Sequence, residues 1–329
     1  MNGASANFTE LAVKNWSIEG GNVLIAELAI LDGSDLPSWD AGAHIDIKAC
    51  DRFGKDVVRQ YSLCSRHGEK NWRVAILGDV NGTGASLNLH EKIKNGQKLE
   101  VRGPRNLFGL QLDLDPIVLV AGGIGITPIL AMAETLNSQN RNFRLHYHAR
   151  SRESAAFVDE LKSSKYAASV IFSLDDESAV SVDSIFSSTD AKASLYTCGP
   201  AGFMNAVIKA AKQAGVQDAK IKKELFGGVF ESVAEGSDRM DRLFTIKIQS
   251  TGALVEVPVG QTAVQALSAA GVDVLVSCEQ GHCGSCLTRV LEGTPDHRDQ
   301  FMLPEEHEKN DAFTPCCSRS LTPCLVLDL

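Results

Sequence analysis

Cys278, Cys283 and Cys286 stand at C-x4-C-x2-C spacing, and the adjacent pair Cys316 and Cys317 follows much later. A tight loop that carries three thiolates, with small residues such as Gly281, Gly284 and Ser285 between them, can wrap a [2Fe–2S] cluster while its amides approach the sulfurs. A fourth thiolate then arrives from a distant segment, and spacing alone does not choose between Cys316 and Cys317. Zinc sites use paired C-x2-C steps, and only Cys283 and Cys286 form one, so the x4 step disfavours zinc. A Rieske centre replaces two cysteines with two histidines on one iron. His282 is the only loop histidine and four positions are filled without it, so it is expected to face solvent. Six of the nine cysteines fall from Cys278 onward. A reducing compartment keeps thiols free, so a late cluster of them reads as metal chemistry rather than a disulfide framework.

A second constellation is Gly122-Gly123-Ile124-Gly125-Ile126-Thr127-Pro128, which follows the apolar run Pro116–Ala121. Glycines at a strand-to-helix junction let backbone amides approach a pyrophosphate at the positive end of a helix. The full dinucleotide fingerprint is missing, because Pro128 stands where its third glycine would fall. No carboxylate ends the next strand; Arg150-Ser151-Arg152 is there instead, and these arginines could meet a 2′-phosphate. Thr197-Cys198-Gly199-Pro200 ends a later strand, on the edge where open α/β sheets hold ligands.

The third is Arg59-Gln60-Tyr61-Ser62. Arg59 and Tyr61 are two apart on a strand and share a face. Arginine offers a planar fork to a phosphate and tyrosine a flat ring to an isoalloxazine. Gly82-Thr83-Gly84-Ala85-Ser86 precedes a helical stretch and can hold the same phosphate on its amides. On this segment alone a surface cross-strand pair explains Arg59 and Tyr61 as well. A nucleotide fold and a one-electron cluster in one chain, however, need a converter between them.

Three segments must position these residues. Residues 1–111 are strand-rich, with Asn22–Ile30, Ala43–Ala49, Val57–Leu63 and Asn71–Gly78 separated by Gly-containing turns, which predicts a small antiparallel β-barrel. Residues 112–232 alternate strand and helix, which predicts a parallel α/β sheet. Residues 233–241 are short and polar and read as a linker. Residues 242–329 hold a hairpin at Phe244–Gln249 and Leu254–Val257, an amphipathic helix at Thr262–Ala270 and a closing strand at Cys324–Leu329. The length of 329 residues suits this division.

Composition excludes other classes. Hydrophobic residues make up 44% and charged ones 22%, with a formal net charge of −9, so the chain has no footprint for nucleic acid. No apolar run reaches the roughly 20 residues of a membrane span. Met1–Phe8 lacks the order of a secretory signal, so a cytoplasmic protein is expected. From Arg242 onward eleven acidic residues face six basic ones, a charge that can steer docking on a basic surface or simply solvate the fold.

In order and spacing the motifs resemble the phthalate dioxygenase reductase family, a branch of the ferredoxin–NADP+ reductase superfamily with a C-terminal ferredoxin domain. The likeness runs through Arg59-x-Tyr61-Ser62-Leu63, Gly82–Ser86, Gly103-Pro104-Arg105-Asn106, Gly122–Pro128, Cys198-Gly199-Pro200, Ser277–Cys286, Asp296-His297-Arg298-Asp299 and Leu325–Leu329. The resemblance implies a β-grasp ferredoxin fold for residues 242–329. It implies FMN rather than FAD against Arg59, Tyr61 and Ser62 with Gly84 and Ser86. Nicotinamide would lie beside Cys198, Gly199 and Pro200, with Gly122, Gly123, Gly125 and Thr127 under the nucleotide. Because the family's fourth ligand precedes a Ser-Arg by one residue, the resemblance picks Cys316. Glu224-x-Phe226 resembles the segment that closes over the flavin. NADH is the implied donor, with NADPH as the alternative. The implied partner is a Rieske-type oxygenase acting on an aromatic or small organic acid, and monomer is the default state. Rival readings are a stand-alone flavin or ferric reductase and a zinc-stapled nucleotide-binding adaptor.

Overall fold

Apolar residues on alternate positions build the first sheet. It comprises β1 (Thr9–Glu19), β2 (Val23–Ile30), β3 (Ala43–Cys50), β4 (Asp56–Ser62), β5 (Trp72–Leu77) and β6 (Lys98–Asn106). The computed structural model describes residues 8–66, 68–80, 82–112, 116–177, 180–187, 192–226, 241–276, 281, 284–299, 302 and 304–329. The six strands are antiparallel in the order β4-β3-β6-β1-β2-β5, and an antiparallel bridge between Leu63 and Val74 joins the two ends into a barrel. Leu24, Leu28, Ile45, Ile47, Val74 and Ile76 fill the interior, and α1 (Ala85–Lys92) adds Leu89.

β1 and β6 carry no clear strand signal in the sequence. In β6 the reason is Gly103-Pro104, which reads as punctuation. His44 pairs with Arg105 and Asp46 with Arg102, so Gly103 and Pro104 together oppose Ile45. This bulge accommodates a proline that has no N–H to give to the ladder.

From Ile117 the second sheet begins: β7 (Ile117–Gly122), β8 (Phe143–Ala149), β9 (Val170–Leu174), β10 (Ser194–Gly199) and β11 (Ile221–Leu225). All are parallel, in the order β11-β10-β7-β8-β9. Between them lie α2 (Ile126–Ser138), α3 (Val158–Ser163), α4 (Val182–Ile185) and α5 (Ala201–Gln213). Every residue of β7 is buried because both faces are covered. Leu119 and Ala121 pack with Ile129 and Leu130 of α2, whereas Val118 and Val120 pack with Val207 and Ala210 of α5.

Barrel and α/β sheet form one compact unit, residues 1–228. Ala41, Cys64 and Phe108 of the barrel segment share a core with Leu119 and Tyr196 of the sheet. Polar links reinforce it. Arg73 binds Glu160 through two nitrogens at 2.8 and 2.9 Å, and the Tyr196 hydroxyl accepts from the Gln111 N–H at 2.8 Å.

The second unit is residues 229–329. It contains β12 (Phe244–Ile248), β13 (Leu254–Val257), α6 (Ala263–Ala269), β14 (Thr288–Glu292), β15 (Pro295–Asp296), α7 (Pro304–His307), β16 (Ala312–Phe313), β17 (Arg319–Ser320) and β18 (Cys324–Leu327). The main sheet runs β13-β12-β18-β14-β16, with β12 and β18 parallel at its centre. Helix α6 starts in a capping box: the Thr262 hydroxyl accepts from the Gln265 N–H, and the Gln265 side chain accepts from the Thr262 N–H. Of the linker read at 233–241, only Asp241 lies within the described residues. Among them, no helix is long and apolar enough to cross a membrane.

Candidate functional site

On β4, Arg59 and Tyr61 alternate opposite Ile47 and Ile45 of β3. Arg59 donates to the Val58 carbonyl at 2.8 Å and to Thr83 Oγ1 at 3.0 Å. Thr83 precedes Gly84, which starts α1 in the left-handed region at φ 93° with no side-chain cap. The first N–H groups of a helix have no partner inside it, so Arg59 and the start of α1 present donors side by side. Ser86 accepts from the Asp79 N–H at 3.0 Å, which fixes the loop. Tyr61 is half-buried against the barrel core, and burial pushes its phenol up. The sequence placed Thr83 in the phosphate loop for its amide alone; its side-chain contact with Arg59 spans 24 residues.

The glycines of the nucleotide segment divide by what surrounds them. A Cβ on Gly125 would strike the Cys198 carbonyl, and one on Gly199 would come within 3.0 Å of the Gly122 backbone. Gly122, Gly125 and Gly199 therefore bring β7, β10 and the start of α2 together. Gly123, at φ 53°, faces open space. Thr127 is buried and its hydroxyl donates to the Ile124 carbonyl at 3.1 Å, so it stabilises its own turn. Pro200 caps α5 and lies with Phe203 beside Gly122. Gly125→Ala is expected to destabilise the first unit by about 1–3 kcal/mol, the usual cost of overpacking. Gly123→Ala meets no neighbour but places a Cβ on a left-handed backbone, which costs about 1–2 kcal/mol. Gly123→Asn, which tolerates that backbone, should recover most of the melting temperature, whereas Gly125→Asn should not.

Ser62, Cys198 and Glu224 converge from three strands. Cys198 and Glu224 are register partners on β10 and β11, and the buried Ser62 hydroxyl donates to Glu224 Oε2 at 3.3 Å. Burial raises the Glu224 carboxyl to about 8 against the pull of Ser62. It also raises the Cys198 thiol, helped by the Glu224 charge. Phe226 packs against the shared core next to them. Arg152 pairs with Asp159 at 3.4 Å at the far end of β8.

In the second unit, Cys286 and Cys316 are buried, and Cys317 is half-buried. Cys278, His282 and Cys283 lie outside the described residues. The Cys316 thiol meets the thiols of both Cys286 and Cys317, and the Cys286 contact together with burial raises it to about 12. Iron would take the proton from each thiol it binds. Cys317 Sγ also reaches Thr314 Oγ1 at 3.3 Å and lies where a Cβ on Gly281 of the cysteine loop would sit. Arg319 is buried and donates to the carbonyls of Gln261, Arg242 and Pro258 at 2.6, 2.9 and 3.0 Å. Arg105 and Arg102 likewise clamp the fully buried Asp46, each at 2.6 Å. These motif arginines brace the chain around the site rather than reaching into it.

The 2Fe-2S iron-sulfur cluster binding domain family matches residues 246–321, and the N-terminal domain of dimethylamine monooxygenase subunit DmmA-like proteins matches 111–221. A vanillate O-demethylase oxidoreductase from Pseudomonas sp. (strain HR199 / DSM 7063) is 40% identical over 97% of this chain and 99% of its own length. The solved phthalate dioxygenase reductase is 32% identical, with 98% of both chains covered and a TM-score of 0.69. The chain belongs to the phthalate dioxygenase reductase family. Like that reductase, it is an iron–sulfur flavoprotein oxidoreductase, and its cofactors are a [2Fe–2S] cluster, FMN and NADH. A type IV self-sufficient cytochrome P450 monooxygenase is similar over 98% of this chain at 34% identity and a TM-score of 0.85; the chain spans 41% of that protein. In a phthalate dioxygenase reductase-type chain the late cysteines serve iron, which sets aside the zinc-stapled adaptor.

Proposed function

We propose that this chain is the reductase component of a two-component Rieske-type oxygenase that hydroxylates or O-demethylates a small aromatic acid. The observation that carries this reading is the convergence of Ser62, Cys198 and Glu224, which joins the strand after Arg59 to the edge of the nucleotide sheet. When bound, flavin and cluster supply the conversion of a two-electron donor into single electrons. The chain supplies position and electrostatics. Arg59, Thr83, Gly84 and Ser86 offer a donor-rich cradle for the FMN phosphate, and Tyr61 lines the ring. Gly123 and the Cys198-Gly199-Pro200 turn receive NADH. At neutral pH Glu224 holds its proton and Cys198 stays a thiol, so no fixed anion faces the place where nicotinamide and flavin meet. Cys278, Cys283, Cys286 and Cys316 are the iron ligands. The chain works as a cytoplasmic monomer and prefers NADH to NADPH.

The relatives that are vanillate O-demethylase oxidoreductases, at 40 to 43% identity, direct the test. Cofactor-loaded reductase mixed with a vanillate O-demethylase oxygenase component should oxidise NADH with matched release of formaldehyde from vanillate. Rapid NADH oxidation with ferricyanide but none coupled to the oxygenase would favour the stand-alone reductase. Arg59→Ala removes the charged half of the phosphate cradle. FMN binding, followed by fluorescence, should weaken by about 1.5–3 kcal/mol, the worth of a hydrogen bond to a charged group.

A further inference from the structure

His297, Asp299 and His307 form a cluster in the second unit whose ligand atoms all lie within 4.8 Å of one another. We propose that this cluster is a binding site for a divalent transition metal ion of the zinc type, separate from the iron–sulfur ligands. Asp299 lies just past β15, and His307 ends α7. The Asp299 carboxylate is fully buried, yet no lysine or arginine pairs with it among the described residues. Its Oδ2 accepts the Met302 N–H at 2.8 Å, which fixes the group, and Oδ1 accepts from the Ser318 hydroxyl at 3.5 Å and faces the two imidazoles. His307 Nε2 stands 3.2 Å from Oδ1 and His297 Nδ1 3.8 Å. The rings are stacked with centroids 4.3 Å apart at 19°, so one imidazole must rotate for both nitrogens to aim at one ion beside the carboxylate.

Zinc bound tetrahedrally at ~2.0–2.1 Å needs its ligand atoms on the order of 3.3 Å apart. The observed separations bracket that value within small side-chain movements. Both ring nitrogens of His297 are buried without a well-directed hydrogen bond among the described residues, although the Asn310 side chain and the His307 backbone lie close by. Buried polar atoms of this kind are rare, and an ion bound at Nδ1 would account for the lone-pair nitrogen of the neutral ring, with Nε2 carrying the proton. Two imidazoles and one carboxylate with an open position suit zinc, nickel or cobalt(II) rather than calcium or magnesium, which take oxygen ligands. His307 is the most exposed of the three and gives the ion an entry side. Arg298, between two of the ligands in sequence, turns away to Asp296 and Asp241, at 2.7 Å from each, and does not compete. The site does not depend on which oxygenase the chain serves.

The test uses holoenzyme dialysed against micromolar zinc sulfate, with iron and zinc per chain counted by plasma mass spectrometry. About one zinc is expected beside about two irons. His307→Ala should retain iron and weaken zinc uptake at least ~10-fold, and His307→Cys, which restores a zinc ligand, should recover it. X-ray absorption at the zinc edge of the wild-type protein should show nitrogen and oxygen neighbours only, and this readout stands even if a variant does not fold. No retained zinc, zinc that replaces iron, equal uptake in His307→Ala, or sulfur in the wild-type zinc shell would each overturn the site.

Discussion

Cys316→Ala should yield a yellow protein that NADH still bleaches but that gives no [2Fe–2S] signal by electron paramagnetic resonance, whereas Cys317→Ala should keep the signal. The two cysteines are neighbours in sequence and differ in what their sulfurs meet. The Cys316 sulfur meets that of Cys286, the last cysteine of the loop, and that of Cys317. The Cys317 sulfur also bonds Thr314, at 3.3 Å, and lies against Gly281. A cluster requires four thiolates aimed at one centre, and the expectation for Cys316 rests on its contact with Cys286 and on its place, separated from Ser318-Arg319 by one residue. Loss of iron in Cys316→Ala should abolish electron delivery to the oxygenase while direct reduction of ferricyanide by the flavin continues. Full iron content in Cys316→Ala together with loss in Cys317→Ala would reverse the assignment.

Replacing Glu224 with glutamine should remove a pH dependence of stability that the wild-type protein shows between about pH 4.5 and 8. In the folded chain the carboxyl keeps its proton up to about 8, because burial near Cys198 disfavours the charge, while its ordinary value is 4.5. Across that window the folded state therefore binds more protons than the unfolded state. Stability falls as pH rises and levels off above the folded value. The slope is at most about 1.4 kcal/mol per pH unit, and less here because the carboxylate is half-buried. Glutamine cannot ionise and still accepts from Ser62. The melting temperature of Glu224→Gln relative to wild type should thus rise steadily from pH 5 to 8.5. Parallel curves for the two proteins would mean that Glu224 titrates normally. The same result bears on function, because a neutral Glu224 at pH 7 is what keeps the Ser62–Cys198 junction free of fixed charge.

Local signals carried the architecture a long way. Val23–Ile30, Phe143–Ala149 and Ile117–Gly122 are strands because their apolar patterns leave no other way to bury them. The amphipathic run Thr262–Ala270 announced α6, and the structure starts that helix with a reciprocal bond between Thr262 and Gln265. The cysteine spacing pointed to iron–sulfur chemistry because three thiols at C-x4-C-x2-C spacing suit one cluster-wrapping loop. What local patterns missed was relational. β6 was hidden by Gly103-Pro104, because a bulge is defined by the partner strand, here Ile45 of β3.

The sequence by itself determined the segments, their order and the chemical types available: thiols for iron, glycine turns for a nucleotide, arginine for a phosphate. Tertiary structure decided which of these residues act together. Ser62 reaches Glu224 across 162 residues, and Arg59 reaches Thr83 across 24. Only folding showed that Gly122, Gly125 and Gly199 bring two strands and a helix together while Gly123 stays open. It also turned a scattered His297, Asp299 and His307 into one cluster. The physical reason is the range of the forces involved. Periodicity and capping are read within a turn or two of chain, whereas burial, close backbone approach and the raised carboxyl of Glu224 depend on groups that meet only after the chain has folded.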